Sequence, residues 1–563
     1  WQPNRNRNCL TMYKTITLQR DLACLADEQF DILIIGGGIS GAFIAWDAAL
    51  RGFKTALVEK GDFGAATSSA SSKLLHGGIR YLQQAHFNKV RESALERAHF
   101  QYMAPHLSHY IPFLVPTYKS LMKSKFVLSY AMRFYELLSW GEKRIISDAA
   151  KFPPPIRRLN REQTLAIAPY IDRPDLTGAV CLPESHMRSS ERMTLSIIKT
   201  AVSAGAKLAN YVQAIRYLQQ NNRVSGCRVK DVLTGDEFTI RAKLTINASG
   251  PWIPLLDQSL TGKSATTGYA RGSHVVVSNI QPDHAVALAT NHGSDAVINR
   301  GGRHVFIIPW RGRALIGTSY ASYRDPLDSI HVTEADILQI LNSINDAAPQ
   351  LQMQRNHIDY AFCGLYPLQA SDIKPGIYQG TGEYQLFDHK KDRNLDGLIS
   401  VLGAKYTTAR RLGEYAVNLA SHKLKAGQTK SKTTGQRVID GNIDDLEEVR
   451  KSLLKQVNEI DLANHLLQSY GTSAFEITKN NNIDNVRLSN NQPVTKTEVN
   501  YILDNEMAMT LDDVIFRRTG LGTVGHPGMD CIVEIASLMA AKHGWDDRRK
   551  NTEISRVNKR WNY

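Results

Sequence analysis

The segment that most limits what this chain can fold into runs from Asp31 to Glu59. Asp31-Ile-Leu-Ile-Ile35 is a short, β-branched apolar run suited to a buried parallel strand, and it passes directly into Gly36-Gly-Gly38-Ile-Ser-Gly41. Ala42 to Leu50 contains neither Gly nor Pro and reads as a helix, and Lys54 to Val58 supplies a second strand ending at Glu59. The three glycines serve different ends. Gly36 permits the tight turn, Gly38 lets backbone approach a pyrophosphate, and Gly41 lets helix pack on strand. The helix N-terminus then faces phosphate charge. Glu59, eighteen residues beyond Gly41, is placed to accept hydrogen bonds from a ribose hydroxyl pair. Strand, helix, second strand and terminal acid in register predict a dinucleotide site. The pattern alone does not separate FAD from NAD.

The chain has 563 residues, several times a usual single-domain length, so two or more domains are expected. It is 42% hydrophobic, enough for sizeable cores, which excludes a wholly disordered or collagen-like chain. Lys and Arg number 68 against 54 Asp and Glu, a net charge of +14 that attracts polyanions: nucleic acid, an anionic membrane face or phosphorylated substrates. No nucleic-acid recognition module is legible, so nucleic acid is not an expected partner. The six cysteines form no C-x-x-C pair, which argues against a disulfide framework or zinc site and for a reducing compartment. Asp440, Asn442 and Asp444 hint at a calcium loop, but Asp445 holds its glycine position and Lys451 its closing glutamate position; no metal is expected. No run approaches the apolar length of a spanning helix, so membrane association would be peripheral. Residues Trp1 to Thr11 precede the first methionine, Met12, and read as upstream residue rather than fold; a transit peptide is the alternative, since Arg5, Arg7, Lys14 and Arg20 lie in an acid-free stretch.

Thr67-Ser-Ser-Ala-Ser-Ser-Lys-Leu-Leu-His-Gly-Gly-Ile-Arg80 is dense in small hydroxyl donors and then offers His76, paired glycines and Arg80. Further on stand Ile246-Asn-Ala-Ser-Gly-Pro-Trp252, Arg271-Gly-Ser-His274, Ile308-Pro-Trp310, Gly317-Thr-Ser319, Gly403-Ala-Lys-Tyr-Thr-Thr408 and Leu511-Asp-Asp-Val-Ile-Phe-Arg-Arg-Thr519. From about Asp31 to the C-terminal region the sequence resembles the FAD-dependent glycerol-3-phosphate dehydrogenases, membrane-associated, quinone-linked flavoproteins. The resemblance implies an α/β chain, α+β overall. A Rossmann-like FAD-binding domain would carry an antiparallel-sheet substrate-capping domain and a helical C-terminal domain. The expected divisions are an extension over 1–29, an oxidoreductase region over 30–428, a linker and start of the C-terminal region over 429–495, and a helical domain over 496–563. Within the second, residues of about 30–110, 185–255 and 385–425 would assemble the FAD domain.

By the same resemblance FAD is bound non-covalently by Gly36, Gly38, Gly41, Glu59, Thr67, Ser68, Ser69, Ser72 and Lys73. Gly77, Val212, Ala248, Gly250, Gly403, Lys405 and Thr407 complete that set. The helix that begins near Thr407 would turn its positive end toward the flavin ring.

Lys119, Lys123, Lys125, Arg133, Lys143 and Arg144 surround Phe126, Val127, Tyr130, Ala131, Phe134, Leu137 and Leu138 at helical spacing. This reads either as a core-packed helix with a solvated basic face or as an interfacial helix on an anionic membrane, anchored by Trp140.

Oxidising a secondary alcohol requires that hydride leave carbon while a base takes the hydroxyl proton. His274 is the expected base and His76 the orienting partner, with Arg80 and Lys405 meeting substrate or flavin; Ser273, Arg271 and Tyr366 line the substrate side. The chain departs from the family pattern on that side. Tyr366 stands where the family has a phosphate-binding arginine, and a phenol cannot make the bidentate charged contact. Tyr320 replaces an Asp, Ala404 a Gly, and Ser189-Ser190 a pair of Asp residues. Arg188, Arg271 and Arg410 are candidate substitute cations. The first reading is oxidation of sn-glycerol 3-phosphate to dihydroxyacetone phosphate, with electrons passing to membrane quinone. The chain would sit peripherally on the cytoplasmic side of a bacterial-type membrane rather than in a mitochondrion, with a homodimer left open. The second is the same flavin chemistry on another hydroxy or amino substrate. The third is a flavin-binding module without turnover, against which His76, His274 and Lys405 argue.

Overall fold

The computed structural model describes residues 15–78, 86–119, 135, 139–146, 148–261, 268–280, 282–289, 304–368, 383–403, 405–427, 429–479, 486–490 and 492–563. Arg80, Ala404 and most of the 119–144 stripe lie outside these. The described part of that stripe holds Tyr135, buried, and Trp140, 63% exposed with Arg144 stacked 4.6 Å from its ring.

Two sheets carry the architecture. In the first, strands run in the order Gln385–Asp388, Leu398–Leu402, Glu237–Asn247, Gln29–Ile35, Thr55–Val58 and Lys207–Ala209, with the hairpin Val212–Gln220 and Arg223–Asp231 joined along Glu237–Asn247. Gln29–Ile35 pairs in parallel on both sides, with Ile35 opposite both Asn247 and Val58. It is buried on both faces, which is why its sequence is a continuous apolar run. The helix Ile39–Leu50 is buried over nearly its whole length because the sheet lies on one side and the helix Ala409–Lys423 on the other. A side chain at Gly413 would press within 3.0 Å of Phe43, so a glycine there sets how close the two helices come.

The second sheet is the cap. Its order is Ala321–Tyr323, Tyr269–Val277, Arg313–Gly317, His304–Trp310, Ala285–Ala289, Ser108–Tyr118, Leu176–Met187 and Leu74–Leu75, with Ile358–Pro367 on the other side of Tyr269–Val277 and Arg157–Asn160 beside Leu176–Met187. All its pairings are antiparallel except that of Ala285–Ala289 with Ser108–Tyr118.

The stretch 429–495, read from its polarity as linker and surface loop, is corrected: it holds the helices Leu446–Val457, Ile460–Tyr470 and Ala474–Thr478. Its polar residues cover outer faces, while Leu453, Val457, Leu462, Leu466 and Ile477 join one core with Leu511, Ile515 and Phe516 of the later helices and with Val276, Ile308, Leu315 and Tyr360 of the cap. A second tie is ionic. Asp62, three residues past Glu59, accepts from Arg517 Nε at 2.8 Å and from both terminal nitrogens of Arg518 at 2.7 and 2.9 Å. Glu506 takes Arg192 at 2.5 Å, and Asp440 takes Lys199 at 3.0 Å. All of these side chains are buried.

Removing one partner of a buried pair leaves an uncompensated charge. Asp62→Asn should therefore cost about 3–5 kcal/mol of unfolding free energy, measured as a lowered urea midpoint; an unchanged midpoint would refute a holding role for this carboxylate. Acid should act in the same direction. The paired arginine and lysine charges hold the Asp62 and Asp440 carboxyls below their ordinary range against the opposing effect of burial. Burial pushes His106 and His274 down to about 3. Every one of these groups takes up its proton at a higher pH in the unfolded chain than in the folded one. Stability is thus full above the ordinary histidine pKa and is lost as pH falls toward these folded values, so the thermal midpoint should drop steadily from pH 7 to pH 4.

Candidate functional site

The parallel register brings residues far apart in sequence to one sheet edge. Gly36, Glu59 and Ala248 each follow the end of one of three adjacent strands. Gly36 has φ +107°, and a side chain on it would lie 2.7 Å from Ala248 O. A side chain on Gly41 would lie 1.9 Å from Gly36 O, so the helix can meet the strand only with glycine there. Gly38 caps the helix without a side-chain bond, and Ser68 Oγ accepts from Ile39 N–H at 3.0 Å, just at the helix N-terminus. Glu59 accepts from Gly37 N–H at 2.7 Å and Gly61 N–H at 2.8 Å. Burial raises its carboxyl pKa and these two donors oppose the rise. Val212 N–H donates to Glu59 O at 2.8 Å, fixing the end of that strand. Gly403 closes the same edge, where a side chain would come within 2.7 Å of Ser40 Oγ. Gly250 takes φ +58° in the turn after Ala248, and Thr407 is buried just before the helix Ala409–Lys423. A donor-rich helix end beside an inward carboxylate fits a dinucleotide: the helix for its pyrophosphate, Glu59 for a ribose.

The segment 67–78 leaves this edge and enters the cap sheet through Leu74–Leu75, which pairs with Ser185 and His186. Its side chains divide their work differently from expectation. Thr67 Oγ1 donates to Leu365 O at 2.7 Å, and Ser69 Oγ is taken up by Ala65 O and Ala66 O. Of these hydroxyls, Ser68 alone is bonded at the helix end, and Ser72 is half-buried in the following turn. Lys73 is fully buried and bonds Glu191 Oε1 at 2.7 Å, Ser69 O at 2.6 Å and Ser190 Oγ at 3.0 Å. Ser189 Oγ donates to the other Glu191 oxygen at 2.8 Å. Gly77 N–H donates to Glu184 at 2.9 Å, and a side chain there would strike the Tyr135 hydroxyl.

On the cap, Phe306, Gly317, His274 and Phe362 form one row across four adjacent strands. The His274 ring stacks on Phe362 at 5.2 Å and 14°, and a side chain on Gly317 would lie 2.3 Å from that ring. His274 Nε2 bonds the Thr318 hydroxyl at 2.9 Å, and Nδ1 is buried with no partner. Burial, with Lys73 adding to it, pushes its pKa down to about 3, so the ring is neutral. His76 lies 6.4 Å from Phe306, so both histidines border the row. Tyr366 lies four residues beyond Phe362 on the same strand, hence on the same face, and packs on Tyr320 at 5.4 Å; Gly364, two residues earlier, lets Ala70 approach.

Two expected substrate residues are corrected by the two-residue alternation of a strand. Arg271 and Ser273 share the face opposite His274. Arg271 Nε pairs with Asp336 at 2.9 Å and its guanidinium donates to Thr333 at 3.0 Å, while Ser273 is fully buried on the core side with Val275 and Val277. Arg410 is likewise occupied, by Glu96 at 2.5 and 2.7 Å. Lys405 lies near Glu383, where it adds to the stronger pull of Lys89 on that carboxyl. Sequence reasoning missed Thr318 and Phe362. Thr318 stands in Gly317-Thr-Ser319, just past the strand Arg313–Gly317, a motif that carried no assigned role, and no sequence signal marks Phe362.

A family profile described as FAD dependent oxidoreductase matches residues 31–419, and one described as the C-terminal domain of alpha-glycerophosphate oxidase matches residues 432–550. The chain is 32% identical to the mitochondrial glycerol-3-phosphate dehydrogenase of Homo sapiens, over 99% of this chain and 75% of that protein. It is 29% identical to a glycerol-3-phosphate dehydrogenase of Synechocystis sp., over 95% and 97%. The solved glycerol-3-phosphate dehydrogenase from Bacillus halodurans, complexed with FAD, superposes with a TM-score of 0.73 at 25% identity, over 95% of both chains.

FAD is therefore the dinucleotide. Gly41→Ala should purify without flavin. Glu59→Ala, which removes charged hydrogen bonds worth about 1.5–3 kcal/mol, should weaken FAD binding roughly ten- to a hundredfold. Flavin fluorescence in the filtrate after ultrafiltration measures both, and wild-type retention by either variant would contradict the placement.

Proposed function

This chain belongs to the FAD-dependent oxidoreductase family that includes the glycerol-3-phosphate dehydrogenases, and from that premise we propose that it oxidises sn-glycerol 3-phosphate to dihydroxyacetone phosphate and passes the electrons to a membrane quinone. The observation that carries the reading is the buried, neutral His274, whose Nδ1 has no partner, on the sheet that segment 67–78 joins to the nucleotide edge. Bound FAD supplies the two-electron acceptor for the hydride leaving C2. His274 takes the C2 hydroxyl proton on Nδ1. Thr318, accepting from Nε2–H, holds the tautomer in which Nδ1 carries the lone pair. The stack on Phe362 keeps the ring from turning. A pKa of about 3 describes the cleft without substrate. A substrate phosphate brings negative charge beside the ring and raises that value toward the range where a general base is effective. Arg80 and Lys405 are the cations we assign to the substrate, with His76 orienting it.

The Tyr366–Tyr320 pair favours a second reading, in which the same chemistry acts on another hydroxy or amino substrate, because phenols stand where the family pattern has an arginine and an aspartate. Peripheral attachment fits the exposed Trp140 beside Arg144; among the described residues no helix is long and apolar enough to cross a membrane. We favour the cytoplasmic face of a bacterial-type membrane.

Anaerobic mixing of the yellow protein with sn-glycerol 3-phosphate should bleach the oxidised-flavin absorbance; absence of bleaching while dithionite still reduces the flavin would leave the second reading. Thr318→Val should slow that reduction about ten- to a hundredfold, the usual range for loss of general-base assistance, and Thr318→Ser should restore it. Equal rates and an equal pH profile in Thr318→Val would remove Thr318 from the mechanism.

A further inference from the structure

Most deeply placed cations in this protein have a carboxylate partner: Lys73, Arg97, Arg192, Lys199, Arg271, Arg410, Arg517 and Arg518 all do. One group does not. On the two-stranded ladder of Ser108–Tyr118 and Leu176–Met187, His109 stands directly across from His186, their rings 5.2 Å apart. Arg188 follows two residues after His186, and its N–H bonds Leu107 O at 3.2 Å, so the ladder continues and Arg188 shares the face of both histidines. Lys151 Nζ reaches the same corner, held by Pro105 O at 2.6 Å and Ser108 O at 2.8 Å.

None of these bases is in ion-pair contact with an acid among the described residues. The Arg188 guanidinium is bonded by the neutral Gln468 amide, and its Nε is buried without a partner. Arg311, at the next hairpin tip, adds a further charge and is met only by Gln492 Oε1 and Thr519 O, both at 3.1 Å. Glu498, a carboxylate whose charge Arg188 and Arg311 both feel, is already bonded by His465 and Tyr470. His186 is 2% exposed and both its ring nitrogens lack partners. His109 is exposed, so the group reaches the surface at that ring. Burial holds Lys151 at about 8 and Arg188 at about 9, below their ordinary values, with Asp148 and Glu498 pulling the other way.

We propose that the cluster of His109, His186 and Arg188, with Lys151 at its edge, binds a small phosphate-type dianion. It offers N–H donors that no carboxylate meets in an ion pair among the described residues, Asp148 and Glu498 acting only from a distance, which suits an oxygen-rich anion that accepts several hydrogen bonds at once. Two formal positive charges, on Arg188 and Lys151, match a dianion. Along the sheet, four strand spacings, about 19 Å, lie between the strand of His109 and that of His274, and Lys73, whose charge both His186 and His274 feel, stands between the two groups. The site does not depend on which alcohol the enzyme oxidises.

The test titrates holoenzyme with inorganic phosphate against sodium chloride at equal ionic strength, by calorimetry and by thermal midpoint. Saturable binding is expected, with its dissociation constant raised at least tenfold in both Arg188→Gln and His109→Ala, while the rate of flavin reduction by sn-glycerol 3-phosphate in His109→Ala changes less than twofold. His109 is at the surface, so its variant keeps the question open to measurement should Arg188→Gln fold poorly. Repeating the titration with glycerol 3-phosphate separates a phosphate ester from the free ion; variant-sensitive binding of either supports the site. Absence of saturable binding overturns it. So does binding that both variants retain, or binding that perturbs the flavin spectrum and competes with flavin reduction.

Discussion

Asp62 ties the cofactor edge to the rest of the molecule. It lies three residues beyond Glu59, in the loop that leaves the second strand of the nucleotide fold, and it bridges two consecutive arginines of the C-terminal domain, Arg517 being met as well by Asp512 and Asp513. A buried carboxylate facing two guanidiniums is tolerable only when all three are present and hydrogen-bonded. The loop carrying Glu59 therefore holds its shape only with the C-terminal domain docked. Asn210 donates to the same carboxylate at 3.1 Å and to Met507 O at 2.9 Å, which extends the tie to the adjacent strand end. The run Leu511 to Thr519, remote from any cofactor residue in sequence, thereby supports the ribose side of the FAD site.

The cap is organised by a different rule, the alternation of side chains along its strands. Its row Phe306, Gly317, His274 and Phe362 puts an imidazole on an aromatic floor, with the ring lying close against Gly317 because that residue has no side chain. The opposite face of the same strand is given to structure: Arg271 to Asp336, Ser273 to the core. One strand thus presents chemistry on one side and anchorage on the other. Segment 67–78 crosses from the nucleotide edge to this sheet and encloses the cleft between them. The short hydroxyl side chains of that segment serve mainly to hold its own course, and Lys73 with Glu191 fixes the crossing point.

Charge follows a consistent plan through the interior. Basic groups that span domain boundaries meet acids, and the resulting network fixes how the nucleotide fold, cap and C-terminal helices are joined. The exception is the ladder of His109, His186 and Arg188, where donors accumulate without acids. A net charge of +14 is therefore not only a solvated surface property; part of it is concentrated where a small anion can be recognised.

The FAD-binding unit was legible from the sequence because its constraints are local. A strand, a glycine turn, a helix start and a terminal acid lie within thirty residues, and each glycine answers a close approach within that unit or just beside it. The helical domain beyond residue 496 and the antiparallel cap followed from the family resemblance, whereas 429–495 hid three helices because their exposed faces dominate its composition. Motif adjacency singled out His274, which the strand puts in the row with Gly317 and Phe362, but misled for Arg271 and Ser273, since Arg271-Gly-Ser-His274 reads as one cluster while a strand sends successive side chains to opposite faces. Only the tertiary structure could decide which of the cations are taken. Arg410 and Arg271 are neutralised by acids far away in the chain, at Glu96 and Asp336, and Arg188 is not. Sequence determines the chemistry a residue can perform and its nearest neighbours along the chain; whether its charge is spent or available depends on partners brought together by the fold.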